Sequence, residues 1–149
     1  MANLLEERRV PYAFPINVKH NLEAPLERGM LVSVEGINAQ EFDVYDVVAV
    51  TADKRVAMIT EVAIGYDDYF DERDFVLAKG KVGRANYLQR GEIYTVAKSL
   101  LTGTKTAGTF IKPKVAGHDW EDATAADAVA IVLKEIDYEG QPSVWIEIL

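Results

Sequence analysis

From Gly29 to the C-terminus the chain is written in short runs of Val and Ile separated by turn residues, a texture that admits little except β structure. MLVSVE (30–35), YDVVAV (45–50) and VAMITEV (56–62) are divided by GINAQ and TADKR. EIYTVAK (92–98) and TFIKPKV (109–115) continue the series around the Gly/Thr-rich loop LLTGTKTAGT (100–109). AVAIVLKEIDY (128–138) and SVWIEIL (143–149) flank EGQP, so the last two strands are expected to form a hairpin. In the final strand Val144, Ile146 and Ile148 share one face, with Trp145, Glu147 and Leu149 on the other. Helix is scarce. Only LLEERR near the start and WEDATAADA (120–128), capped by Asp122 or Thr124, could supply a turn or two.

Residues 1–29 are different, because Pro11, Pro15 and Pro25, three of the five prolines, fall there. Val10, Tyr12, Phe14, Ile16 and Val18 alternate with Pro11, Ala13, Pro15, Asn17 and Lys19, the period of an extended chain with one apolar face. Proline cannot donate to a ladder, so a mid-sheet strand is excluded and an edge strand or a surface arm is expected. The organisation read from the sequence is an extended N-terminal arm, 1–29, followed by a β domain, 30–149. The arm either covers its own domain's core or grips a neighbouring subunit. In the second case Val10, Tyr12, Phe14, Ile16 and Val18 are the partner-binding residues.

Charge narrows the function. The 149 residues carry a net charge of -8, which disfavours general nucleic-acid binding because a polyanion wants a basic footprint. The charge is also blocked along the chain: eleven acids against three bases over 35–78, eight bases against one acid over 79–114, then eight acids against one base over 115–149. Lys79, Lys81, Arg84 and Arg90 in the basic block could meet an acidic partner surface, or neutralise the chain's own acids once folded. With no cysteine there are no disulfides, thiol nucleophiles or Cys-ligated metals. No run of about 18 apolar residues and no signal-peptide core occur, so no membrane association and synthesis in the cytoplasm are expected.

The catalytic inventory is thin. His20 and His118 are the only histidines, Ser33, Ser99 and Ser143 the only serines, and neither G-x-S-x-G nor HExxH is present. Asp67, Asp68, Asp71, Glu72 and Asp74 cluster in YDDYFDERD, but Glu72 stands where an EF-hand needs glycine and Ala78 where it needs glutamate. GTKT (103–106) echoes a phosphate-binding loop without the glycine before its lysine, and GKVG (80–83) matches the short KH-type pattern without flanking helices. The chain is therefore expected not to be an enzyme and to need no cofactor or metal.

A proline-rich arm followed by a Gly-punctuated β domain resembles the small head decoration (capsid cement) proteins of tailed bacteriophages. The residues that carry the resemblance are LERGMLVSVEG (26–36), RGEIYTV with TFIKPKV (90–96, 109–115), and the closing AVAIVLKEIDYEGQPSVWIEIL (128–149). The resemblance implies a compact β-barrel, β-tulip or sandwich. It also implies a virion protein on the outer capsid surface, made in the host cytoplasm, that binds the major capsid protein, often as a homo-oligomer. Another phage structural component, in the tail or head-tail adaptor, and a small β binding module or inhibitor of a cytoplasmic partner are the alternatives.

Overall fold

The computed structural model describes residues 6–8, 15–41, 43–61 and 76–149, and its architecture is mainly β, as expected. The strands are β1 (Glu6–Arg8), β2 (Ile16–His20), β3 (Leu31–Ile37), β4 (Val44–Val48), β5 (Val56–Glu61), β6 (Val82–Tyr87), β7 (Ile93–Ala97), β8 (Phe110–Pro113), β9 (Trp120–Asp122), β10 (Ala130–Tyr138) and β11 (Gln141–Ile148). A 3-10 turn, Lys98–Leu100, follows β7. Strands β2-β4-β3-β5-β6 close a barrel, and β1-β7-β11-β10-β8-β9 form a six-stranded sheet beside it.

Two-sided burial explains how the layers join. In β3 and β5 successive residues face opposite ways, and both ways lead into protein. Val32, Ala57 and Ile59 fill the barrel with Val18, Leu26, Val47, Leu77 and Ala85. Leu31 and Met58 point outward, where they pack with Tyr94, Val96, Ile111, Trp120, Val132, Val144 and Ile146 of the second sheet. A strand covered on both faces reads as an unbroken apolar run, which is how MLVSVE and VAMITEV are written. Residues 116–118 stitch the layers through main chain. Leu31 N–H donates to His118 O (2.8 Å), Val50 N–H to Gly117 O (3.1 Å) and Ala116 N–H to Val50 O (2.8 Å).

The closing hairpin forms as read. Tyr138 pairs with Gln141 around Glu139 and Gly140, whose φ angles of 49° and 83° are those of a type I′ turn, the form whose twist matches the strands. Val144, Ile146 and Ile148 are buried, as their alternation predicts.

Besides Glu6–Arg8, which is strand β1 where LLEERR suggested a helical turn, two expectations are corrected. Residues 16–29 are not an arm: β2 runs parallel to β4 (Val18 opposite Tyr45) and antiparallel to β6 (Val18 opposite Gly83), so it is paired on both sides. Leu26 is buried and bridges to Leu77. The proline argument fails because the run Ile16–His20 contains none, and Pro15 stands just before the strand, where its missing N–H costs no ladder bond. The second correction concerns 120–128. Trp120–Asp122 is strand β9, and Thr124-x-x-Asp127 closes only a turn, with Asp127 N–H donating to Thr124 O (3.2 Å). That capping pair forms without a helix behind it, because Val129 N–H is already committed to Ile111 O (2.9 Å).

Deleting residues 1–25 removes β2 and opens the barrel, so the truncated protein should lose its cooperative melting transition; a sharp transition near the full-length midpoint would contradict this placement. Ile146→Ala should cost about 2–5 kcal/mol in urea denaturation, as buried large-to-small changes do.

Candidate partner interface

Of the apolar residues assigned to a partner, Val10, Tyr12 and Phe14 lie outside the described residues. The other two belong to the barrel: Val18 is fully buried in its interior and Ile16 packs half-buried against the same cluster. A partner contact through Val18 is thereby overturned, since its side chain points into the barrel. The acidic cluster 67–74 also lies outside the described residues.

The basic segment is strung along β6 rather than gathered at one point. Lys79 and Lys81 flank the turn before the strand, Arg84 is exposed within it, and Arg90 is exposed in the turn beyond its far end, a strand length of about 20 Å away. Lys79 is held by Glu23 at 2.7 Å, and further along the basic block Lys98 pairs with Glu135 (2.6 Å) and Lys112 with Asp127 (2.7 Å). Lys79 thus meets an acid of the N-terminal segment, and Lys98 and Lys112 meet acids of the C-terminal block, so part of the basic block is neutralised within the fold.

The Asp127 carboxyl is the most strongly perturbed of these groups. The hydrogen bond from Lys112 pulls it down first, then the Thr124 hydroxyl and the Thr124 N–H, each 2.8 Å from Oδ1, bringing it to about 2. The same pair raises the Lys112 ammonium above its ordinary value. A depressed carboxylate contributes stability above its unfolded value and loses it as pH falls, so this turn weakens between about pH 4 and pH 2.

Among the described residues, His20, His118, Ser33 and Ser143 are engaged by the fold. His20 Nε2 donates to Leu77 O (2.7 Å) while its Nδ1 accepts from Leu22 N–H (3.1 Å), which fixes the tautomer. His118 Nδ1 donates to Leu31 O (2.8 Å), and Ser33 Oγ accepts from Thr51 N–H (2.8 Å). Ser143 is buried and donates to Gln141 O (3.0 Å). The GTKT loop has no open cradle, because Thr104 N–H already donates to both carboxylate oxygens of Asp122 (2.9 and 3.1 Å). That carboxylate lies where a side chain on Gly103 would stand, its atoms 2.4–2.6 Å from an added Cβ. A cleft of about 580 Å³ opens between the ends of β2 and β4. Its polar walls hold one another: Asn38 Nδ2 donates to Asp46 Oδ1 (2.8 Å), and Asn38 Oδ1 accepts from Gln40 and Glu41 N–H. Among the described residues, no three His, Asp or Glu side chains gather as a metal ion would need.

An apolar row also faces solvent. The inner face of the hairpin sheet is core, but on its outer face Trp145 is 37% exposed, with Leu149 (47%) two pleats along. Leu133 (38%) sits in the β-bulge between Val132 and Lys134, beside Trp145. Lys134 Nζ lies over the Trp145 ring, 5.5 Å from its centroid, so one side of the indole has an ammonium for a lid. Charge reading of the sequence missed this surface, although the alternation had already put Trp145 and Leu149 on the non-core face. Compared with known proteins, the chain matches no family model and no curated protein.

Trp145→Ala should cost only about 1 kcal/mol, the scale of an exposed cation–π contact, and so well below Ile146→Ala. In a carboxyl NMR titration Asp127 should have its midpoint near 2, and Lys112→Ala should move it up toward the ordinary range. A midpoint unmoved by that substitution would refute the assigned cause.

Proposed function

We propose that this chain is a virion structural protein, a decoration or cement protein that binds the outer surface of a phage head and stabilises the shell. The observation that supports this most is the outer face of the hairpin sheet, where Trp145, Leu133 and Leu149 stand exposed on a layer whose other face is rigid core. Aromatic and aliphatic anchors on a preorganised sheet suit a protein whose task is to be covered by another protein. The structural use of His20, His118, Ser33 and Ser143 agrees with a reading in which no chemistry is performed. The major capsid protein is the partner on this proposal, with the chain arranged as a homo-oligomer on the shell exterior, where many equivalent copies raise avidity.

The test is sedimentation of the purified protein with shells that lack it, followed by mass spectrometry of complete particles. Wild-type protein should pellet with shells, and Trp145→Asp should reduce pelleting at least tenfold with a melting temperature lowered by only about a few degrees. Absence of the protein from every purified particle would sink the proposal.

A further inference from the structure

Among the described residues, most strand edges apart from the outer edge of the short terminal strand β1 are covered. The barrel has none, since β6 returns to β2. In the second sheet β1 covers the edge of β7, Glu6 opposite Thr95. At the other end Thr102 N–H donates to Trp120 O (2.9 Å) and Thr104 N–H to the Asp122 carboxylate, which covers β9. One stretch differs. β8 pairs with β10 only at Ala130 and Ile131, and its main-chain contact ends with Val132 N–H to Thr109 O and Gly108 N–H to Val132 O. Beyond the bulge β10 runs on to Tyr138, bonded to β11 on one side and to no other strand on the opposite side among the described residues.

The phase of that stretch follows from the turn. A type I′ turn at Glu139 and Gly140 makes Tyr138 and Gln141 a hydrogen-bonded pair, so Ile136 with Ser143 is the next such pair. Asp137 opposite Pro142, and Glu135 opposite Val144, are then the non-bonded pairs, as a proline at 142 requires. The N–H and C=O of Glu135 and Asp137 therefore point out of the sheet, away from β11. Three exposed acids, Glu135, Asp137 and Glu139, follow one another at alternate positions along this edge. Lys98 compensates Glu135, which leaves the charge of the stripe on Asp137 and Glu139.

We infer that the β10 edge from Glu135 to Glu139 docks an extended segment of a partner protein that carries Lys or Arg at alternate positions, added as a further antiparallel strand. The main chain of Glu135 and Asp137 supplies the ladder bonds, and the acidic stripe selects the basic sequence. A second copy of this chain fits poorly. Outward-facing residues must pair with outward-facing residues, so a two-fold antiparallel register sets Glu135 against Glu135, Glu135 against Asp137, or Asp137 against Asp137, like charges in each case. This inference concerns the edge alone and stands or falls independently of the capsid reading.

The probe is a short synthetic peptide alternating Lys and Val, with a Glu/Val peptide of the same length as control, titrated into the full chain at low salt. Amide hydrogen exchange and backbone NMR shifts are the readouts. The Lys/Val peptide should protect the amides of Glu135 and Asp137, and the Glu/Val peptide should not. Asp137→Asn with Glu139→Gln keeps an acceptor for the Gly140 N–H that Asp137 Oδ1 now holds at 2.7 Å, and should weaken binding about tenfold. Glu135→Pro removes an outward donor without touching a bond to β11, and should abolish the protection in a protein that still melts cooperatively. Equal binding of both peptides, or shifts confined to other residues, would overturn the inference. So would protection of Glu135 and Asp137 that appears with rising concentration of the protein alone, which would assign the edge to a second copy.

Discussion

The wall made by Leu31–Ser33 of β3 and Ala57–Thr60 of β5 has no solvent side, and the rest of the molecule is arranged around that constraint. Leu31 and Met58 face the second sheet while Val32, Ala57 and Ile59 face the barrel, so neither layer can keep its core without the other. A strand pair that loses water on both faces gains roughly twice the apolar burial of a one-sided pair, about 25 cal/mol for each Å² covered. It also leaves the wall's outward main-chain groups needing partners. Residues 116–118 meet part of that need by donating and accepting at Leu31 and Val50, and His118 adds its ring N–H to Leu31 O. The loop is therefore a bolt between layers, and a histidine that invites a catalytic reading serves as one of its pins.

Local signals were legible where one face is wet and a turn is short. The β10–β11 hairpin combines strict alternation with Glu139-Gly140, and both its register and its buried row could be read directly. The runs that became β3 and β5 were recognisable as strands, yet nothing in an unbroken apolar run says which neighbours cover its two faces. β2 was misread for a related reason: its partners, β4 and β6, are chosen by closure of the barrel, a condition that no residue within Ile16–His20 expresses. Trp120 was concealed in a segment with a helical cap signature, because Thr124 and Asp127 satisfy each other in an isolated turn as readily as they would at a helix start.

The charge blocks show how far a linear count can mislead about a surface. A stretch carrying eight bases and one acid invites the idea of a basic patch. Folding instead lays Lys79 against Glu23, 56 residues away, and Lys98 against Glu135, 37 residues away. These exposed pairs add little stability, since each is solvated and screened by salt. Their effect is on specificity, because they weaken the long-range field of the basic block. The partner surface is then left to features that act at contact, and the exposed apolar row around Trp145 is one.

That row owes its composition to a single extra residue. Without the bulge between Val132 and Lys134, an unbroken register would set Leu133, Glu135 and Asp137 on the Trp145 face and turn Lys134, Ile136 and Tyr138 toward the core side. The bulge exchanges the faces of the residues from Lys134 onward. Lys134 then stacks on Trp145, Ile136 and Tyr138 extend the apolar face, and Glu135 moves to the side where Lys98 can reach it. One inserted position thus reconciles the phase that the turn sets from Lys134 to Tyr138 with the buried Val132 of the stretch next to β8. Deleting Leu133 would give an unbroken register with Lys134 still opposite Trp145 and Glu135 still opposite Val144, so the two faces should survive the loss of the bulge.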